Sequence, residues 1–175
     1  YAEDSILITI NPNPIAQIVA DTICHGDSTT IIDLGNAISR NWDLNLDGII
    51  DAKNDSFKWR FNKAGSNTAT IILTSINGCT IKDSFQVQVS ERPVALFSQA
   101  QDSICQGDSL LLTNGSSNTD SSFWYKNSAS VYKLNNSAAF NMAYDSSGIF
   151  QLTLVTKNIA GCSDTANSTV TVIQR

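Results

Sequence analysis

Apolar and polar residues alternate with period two along most of this chain. The clearest runs are Ile6, Ile8 and Ile10; Phe57, Trp59 and Phe61; Ala69, Ile71 and Leu73; Phe85, Val87 and Val89; and Phe150, Leu152 and Leu154. Such alternation places the apolar residues on one face of a β-strand. Short turn sequences of the Gly-Asp and Asn-Gly kind separate the runs, and no stretch has a helical period. The pattern predicts an all-β fold built from antiparallel sandwiches of immunoglobulin-like topology.

A duplication organises the pattern. Residues 21–28 (DTICHGDS) recur as residues 102–109 (DSICQGDS), and a Trp and then a Gly-Cys pair follow in the same order in both copies, at Trp42 and Trp124 and at Cys79 and Cys162. Repeats at a fixed offset indicate a duplicated structural unit. We therefore predict two tandem sandwiches, at residues 12–92 and 93–175, each with its Trp in the core.

The first eleven residues form a third, partial copy. Residues 4–10 (DSILITI) match residues 83–89 (DSFQVQV), so residues 1–11 are predicted to be the last strand or the linker of a preceding module. The chain does not begin with Met and has no uncharged apolar run near 18 residues. We expect a piece of a longer array of modules that does not insert into a membrane.

Composition narrows the function classes. The 175-residue chain carries 11 basic and 16 acidic residues, a net charge of −5, which argues against nucleic acid or anionic lipid as a partner. Its single His, His25, and its two Glu residues, Glu3 and Glu91, supply little acid–base chemistry. We predict a monomeric segment that is not an enzyme and has no catalytic residues.

Each copy contains one Cys before the Gly-Asp turn and one in the Gly-Cys hairpin. These matched positions favour disulfides between Cys24 and Cys79 and between Cys105 and Cys162, although four buried free thiols are the alternative. Disulfides would place the protein in an oxidising, extracytoplasmic compartment.

One loop of the first copy has the spacing of a calcium site. Residues 43–55 (DLNLDGIIDAKND) carry oxygen donors at loop positions 1, 3, 5 and 9 and Gly at position 6. The predicted Ca²⁺ ligands are Asp43, Asn45, Asp47, the Ile49 carbonyl and Asp51, with Asn54 or Asp55 closing the site. The alternative is a solvated turn whose Asp and Asn side chains cap backbone groups. The second copy has Tyr125 and Lys126 after its Trp, so no site is predicted there.

The aromatic strand at residues 57–61 has two interpretations. Period-two aromatics form one face of a strand, which favours a core face; alternatively, they offer a platform for stacking on a sugar, with Trp59 as the candidate contact.

The residues around the two Trp carry a family resemblance. Residues 42–48 (WDLNLDG) resemble the acidic turn of PKD (polycystic kidney disease) domains, and residues 123–127 (FWYKN) with 148–152 (GIFQL) resemble immunoglobulin-like modules of large Bacteroidetes surface proteins. The resemblance implies a non-catalytic structural or adhesive segment of a secreted or cell-surface protein. Such modules act as stiff spacers or adhesion units in adhesins and gliding-motility-associated proteins.

Its expected partners are other modules of the same chain and a surface polysaccharide or protein ligand. The alternative function is a carbohydrate-binding accessory module of a secreted polysaccharide-degrading enzyme.

Overall fold

A computed structural model of the chain describes residues 6–134 and 139–175 and divides it into two compact units, Tyr1–Val89 and Ser90–Arg175. Every regular element in the described residues is a β-strand. The part of the chain that the structure describes therefore has no helix of the length and apolar character that a membrane span requires. The all-β prediction, two tandem β-sandwiches, is confirmed.

The first unit is a sandwich of a three-stranded and a four-stranded sheet. Its strands are β1 (Ile18–Val19), β2 (Ile23–Cys24), β3 (Thr29–Asp33), β4 (Ser39–Asp43), β5 (Ser56–Trp59), β6 (Gly65–Thr74) and β7 (Thr80–Ser90). One sheet has the order β1-β3-β5 and the other β2-β7-β6-β4. Strands β6 and β7 form an antiparallel hairpin that runs from the pair Gly65 and Val89 to the pair Thr74 and Thr80.

The second unit repeats this plan with one more strand. Its strands are β8 (Phe97–Gln99), β9 (Ser103–Cys105), β10 (Ser109–Asn114), β11 (Ser121–Lys126), β12 (Ala129–Leu134), β13 (Ala139–Ala143), β14 (Gly148–Lys157) and β15 (Ser163–Ile173). The sheets have the orders β13-β10-β8 and β12-β11-β14-β15-β9. Strand β9 runs parallel to β15, with Cys105 opposite Ile173.

Each core is built around its Trp, as the duplication predicts. Trp42 and Trp124 are both fully buried. Phe57 and Phe85 meet Trp42 edge-on, at ring-centroid distances of 5.3 and 5.6 Å. Phe97 and Phe140 meet Trp124 in the same way, at 5.0 and 5.2 Å. Edge-to-face pairs of this kind add to the free energy of area burial.

The two units differ after the Trp. In the second unit, Asn127 and Ser128 both adopt positive φ (47° and 66°) in a two-residue turn that leads into β12. In the first unit the chain makes the acidic loop instead and returns only at Ala52, which forms an isolated bridge with Trp42.

Each unit has two ends. The hairpin end carries the Gly-Cys hairpin, and the turn end carries the cysteine that precedes the Gly-Asp turn. At the hairpin end of the second unit, the Asn158 amide group donates to the Glu91 carbonyl (2.8 Å) and the Ala95 amide donates to Asp164 (2.8 Å), so the chain enters there. It leaves at the turn end, where Ile173 closes β15 beside Cys105. The eleven residues of β15 separate the two ends by about 35 Å.

The segment 6–11 makes no strand in this chain, and residues 1–5 lie outside the described residues. Ile6, Ile8 and Ile10 are 86%, 78% and 88% exposed, whereas Val87 and Val89, the repeat equivalents of Ile8 and Ile10, are buried in β7.

Candidate functional site

The acidic loop is closed at its base by backbone hydrogen bonds of Trp42. The Trp42 amide donates to the Ala52 carbonyl (2.9 Å), and the Asp51 amide donates back to the Trp42 carbonyl (2.7 Å). The indole Nε1 of Trp42 donates to the Asn54 carbonyl (2.9 Å), and Leu44 is buried in the core. The loop is therefore anchored to the sandwich at both ends, and residues 45–50 project into solvent.

Inside the loop, the predicted ligands bond to the loop's own backbone. Asp43 Oδ2 accepts from the Gly48 amide (3.0 Å), and Asp47 Oδ1 accepts from the Ile49 amide (2.7 Å). Asn45 Oδ1 accepts from the Asp47 amide (3.1 Å), and Asn45 Nδ2 donates to Asp47 Oδ2 (2.9 Å). These bonds are the side-chain-to-backbone turn contacts that Asp and Asn make in loops.

The remaining side chains of the predicted ligand set are those of Asp51, Asn54 and Asp55. Asp51 Oδ2 accepts from the Leu44 amide (2.7 Å), which ties the start of the loop to its end. The Asp55 carbonyl accepts from the Asp33 amide (2.9 Å), and the side chains of Asn54 and Asp55 are exposed. Within the described residues, no group of three or more acidic, His or Cys side chains is arranged to hold a metal ion.

One oxygen of the predicted ligand set lacks a partner. Asp43 Oδ1 is buried and accepts no hydrogen bond from any described residue. An unsatisfied buried carboxylate oxygen costs free energy, which a hard cation bound to it would offset. The donors thus suit Ca²⁺ in chemical type.

The predicted disulfides do not form. Cys79 and Cys105 are free thiols, whereas Cys24 and Cys162 are each disulfide-bonded, so neither Cys24–Cys79 nor Cys105–Cys162 exists. In the second unit Cys162 directly precedes β15, and Cys105 lies opposite its last residue, Ile173. The two are about 35 Å apart, whereas a disulfide requires Cα atoms within about 7 Å.

The first unit separates its cysteines in the same way. Cys79 directly precedes β7, and β2, which contains Cys24, lies beside β7 in the sheet. The ring of His25 contacts the Asn62 carbonyl (3.2 Å) near the start of β6, and that start pairs with the end of β7. Cys24 therefore lies at the turn end and Cys79 at the hairpin end. Matched sequence positions identified equivalent cysteines, but not partners.

Trp59 lines a surface groove of about 410 Å³. Asn45 of the acidic loop and the polar side chains of Arg60, Asn62 and Lys63 share its walls. Trp59 is half-buried and packs against the core together with Phe57, and Phe61 is buried within it. The strand therefore presents no exposed row of three aromatics, a feature that would favour a sugar-stacking platform.

A buried ion pair that the sequence analysis missed fastens the start of the first unit. Asp33, whose side chain is 0% exposed, accepts from Arg40 Nε (2.8 Å), and Arg40 is 13% exposed. Asp33 Oδ1 also accepts from the amides of Gln17 (2.9 Å) and Gly35 (3.0 Å). Burial alone would raise the pKa of Asp33, but these hydrogen bonds and the Arg40 charge outweigh it, and the pKa lies below its usual 3.8.

The second unit has a neutral version of the same contact. At the equivalent positions, Asn114 Nδ2 donates to the hydroxyl of Ser122 (3.1 Å), which is fully buried. The repeat was the signal that could have found this pair. The offset of residues 21–28 to 102–109 aligns Asp33 with Asn114, and the offset of Trp42 to Trp124 aligns Arg40 with Ser122.

No family model and no curated protein matches this chain. The fibronectin(III)-like modules of Clostridium thermocellum CbhA have a similar structure, with 9% identity over 91% of this chain and 95% of theirs, and a TM-score of 0.50. An I-band fragment of titin, I67-I69, has 17% identity over 95% of this chain and 67% of its own, with a TM-score of 0.51. The PKD1 domain of Vibrio anguillarum Epp covers 47% of this chain at 22% identity, with a TM-score of 0.40. The first two show the fold: tandem immunoglobulin-like sandwiches.

Proposed function

We propose that this chain is a non-catalytic structural segment of an extracellular repeat protein and acts as a stiff spacer that can carry an adhesive unit. The observation that supports it best is the path of the chain through the second unit, which it enters at the hairpin end and leaves at the turn end. The chain therefore crosses the whole length of this unit, about 35 Å by the length of β15. The disulfide-bonded Cys24 and Cys162 support an oxidising compartment outside the cytoplasm.

A spacer must resist load between its ends. In the second unit the parallel contact of β9 with β15 lies at the point where the chain leaves, so a pull along the module shears that contact before the core opens. We therefore expect force spectroscopy in reducing buffer, with the chain held at residues 11 and 175, to show two separate unfolding events. Each should release about 250 Å, from about 80 residues at about 3.6 Å each less the folded length. One gradual extension without force peaks would contradict the spacer function.

Calcium binding to the acidic loop is part of this proposal. Asp43, Asn45, Asp47 and Asp51, the Ile49 carbonyl, and Asn54 or Asp55 would hold the ion, and the support is the unpartnered Asp43 Oδ1. The cation would stiffen a loop that one unit carries and the other replaces with β12. At millimolar Ca²⁺ a site of about 10 μM affinity would stabilise the first unit by about 2.7 kcal/mol.

The Asp43→Asn variant tests the calcium site sharply. Asn still offers one oxygen to the Gly48 amide, so the loop keeps its turn, but the carboxylate is lost. We expect calcium to raise the melting temperature of the wild type and not that of the variant. Asp108→Asn, at the equivalent of Asp27 in the second copy, is the control and should keep the response. A wild type that melts at the same temperature in EDTA and in millimolar calcium would identify the loop as a polar turn.

Carbohydrate binding is the second candidate function, and the groove beside Trp59 supports it. Affinity electrophoresis in gels that contain soluble plant or bacterial polysaccharides would test it. Retardation that Trp59→Ala removes, and that Trp124→Phe leaves unchanged, would favour this function over the spacer.

A further inference from the structure

In each pair of equivalent cysteines, one member is disulfide-bonded and the other is a free thiol. Cys24 and Cys105 occupy the same position before the Gly-Asp turn, yet Cys24 is disulfide-bonded and Cys105 is free and exposed. Cys79 and Cys162 share the Gly-Cys hairpin, yet Cys162 is bonded and Cys79 is free. The turn position is therefore disulfide-bonded in the first copy and free in the second. The hairpin position is bonded in the second copy and free in the first.

The hairpins of the two units have the same local structure. In the first, the Ser75 amide donates to the Cys79 carbonyl (2.8 Å), and the Cys79 amide donates to Ser75 Oγ (3.2 Å). In the second, Asn158 and Cys162 exchange the same two bonds, at 3.0 and 2.9 Å. The free Cys79 is therefore presented by the same turn as the bonded Cys162.

The free Cys79 lies beside a strand end that belongs to another module by its sequence. Its thiol contacts the carbonyl of Asn11 at 3.8 Å, and Asn11 directly follows the segment that matches β7. In that segment Ile6, Ile8 and Ile10 occupy the positions of Phe85, Val87 and Val89 and are exposed. Three exposed apolar residues with strand alternation fit the edge of a sheet of the same kind.

The free Cys105 lies beside the corresponding strand end of its own unit. It is opposite Ile173, the last residue of β15, and that strand is equivalent to β7. A turn cysteine thus lies beside the end of the last strand of its own module. The hairpin cysteine Cys79 lies beside Asn11, which follows the segment that matches the last strand of a module. The chain thus leaves a module at the end that carries its turn cysteine, and it enters the second unit at the end that carries the hairpin cysteine.

We propose that Cys79 and Cys105 are the unused halves of disulfides to further copies of this module. The hairpin thiol of Cys79 bonds to the turn cysteine of a copy that precedes it, and the turn thiol of Cys105 bonds to the hairpin cysteine of a copy that follows it. This inference rests on the proposed function, because it requires a repeat array. Each bond forms when two thiols lose two protons and two electrons, and a small disulfide such as oxidised glutathione accepts both and becomes two thiols.

Two single variants of the full chain test the proposal. In a mixture of the two, each variant serves as the neighbouring copy for the other. Cys79→Ser retains the turn thiol, and Cys105→Ser retains the hairpin thiol. In a glutathione redox buffer we expect each variant alone to stay monomeric on a non-reducing gel and their mixture to give a dimer. The heterodimer should exceed either homodimer by about tenfold, a preference of about 1.4 kcal/mol. Peptide mapping should identify a link between Cys79 and Cys105, and the wild type should form a ladder.

A control separates this pairing from chance collision of exposed thiols. The triple variant Cys79→Ser, Cys105→Ser, Ser84→Cys carries an exposed thiol on β7, midway along the hairpin of β6 and β7, where Ser84 lies opposite Thr70. Mixed with Cys105→Ser, it should form no more dimer than the homodimer background. Homodimers as abundant as the heterodimer, or glutathione adducts without any dimer, would overturn the proposal. If force spectroscopy still shows two unfolding events, that result would leave the spacer function in place.

Discussion

The ion pair of Asp33 and Arg40 leads to the most informative prediction. Replacing Asp33 with Asn keeps one oxygen for the amides of Gln17 and Gly35, but it sets an amide group against Arg40 Nε and leaves the arginine charge without its partner. Removing one member of a buried pair costs about 3–5 kcal/mol. Because Arg40 is 13% exposed, we expect the lower end, about 3 kcal/mol at pH 7.

The second unit supplies the compensating change. The double variant Asp33→Asn, Arg40→Ser reproduces the Asn114–Ser122 pair, so it should be more stable than the sum of the two single variants predicts. We expect a coupling energy of about 2 kcal/mol, since contacting residues in one network couple by about 0.5–3 kcal/mol. The assay is urea unfolding, with hydrogen exchange of β3 and β6 peptides to assign the loss to the first unit.

The pH dependence has a definite sign. The pKa of Asp33 is lower in the folded chain than in the unfolded chain, so the unfolded state binds the proton more readily. The stabilisation is therefore present above the unfolded pKa of 3.8 and is lost as the pH falls through the lower folded value. Wild type and Asp33→Asn should differ at neutral pH and converge at acid pH. A variant within 0.5 kcal/mol of wild type at pH 7, which is about the level of a neutral surface change, would refute the reasoning.

Three further predictions follow from single contacts. Gly35→Ala should destabilise the first unit by more than about 3 kcal/mol in thermal unfolding, because a Cβ at this position would stand 1.9 Å from the Ile15 carbonyl oxygen, and Gly115→Ala, with 3.6 Å to Leu96, should be tolerated. Trp42→Phe should cost about 1–3 kcal/mol more than Trp124→Phe in the same assay, since Trp42 Nε1 has a partner in the Asn54 carbonyl and Trp124 Nε1 has none among the described residues. Ellman titration of the denatured, unreduced monomer should find two thiols, and a count of zero or four would contradict the assignment of Cys79 and Cys105 as free.

The parts of the fold that depend on local pattern could be predicted from sequence. Period-two alternation located the long strands β6, β7 and β14, and the duplicated Trp identified the centre of each core, because consecutive residues of a strand alternate between its buried and its exposed face. The cysteine pairing could not be obtained in this way. It depends on where β9 lies against β15, a contact between residues nearly seventy positions apart that leaves no local signal. The acidic loop could be predicted only in part. The sequence shows the spacing of its oxygen donors, but it does not show that backbone amides of the loop hydrogen-bond to those oxygens.

The acidic loop also affects how this protein behaves at high concentration. Strand β4 lies at the open margin of its sheet, where an unpaired row of amides and carbonyls can recruit a strand from another molecule. The loop folds back over that margin, satisfies both backbone groups of Trp42 through Ala52 and Asp51, and surrounds it with carboxylates. Like charges discourage an incoming strand, and the single-residue bridge leaves little backbone to extend. The margin at β4 is thereby protected from amyloid-like association with other molecules.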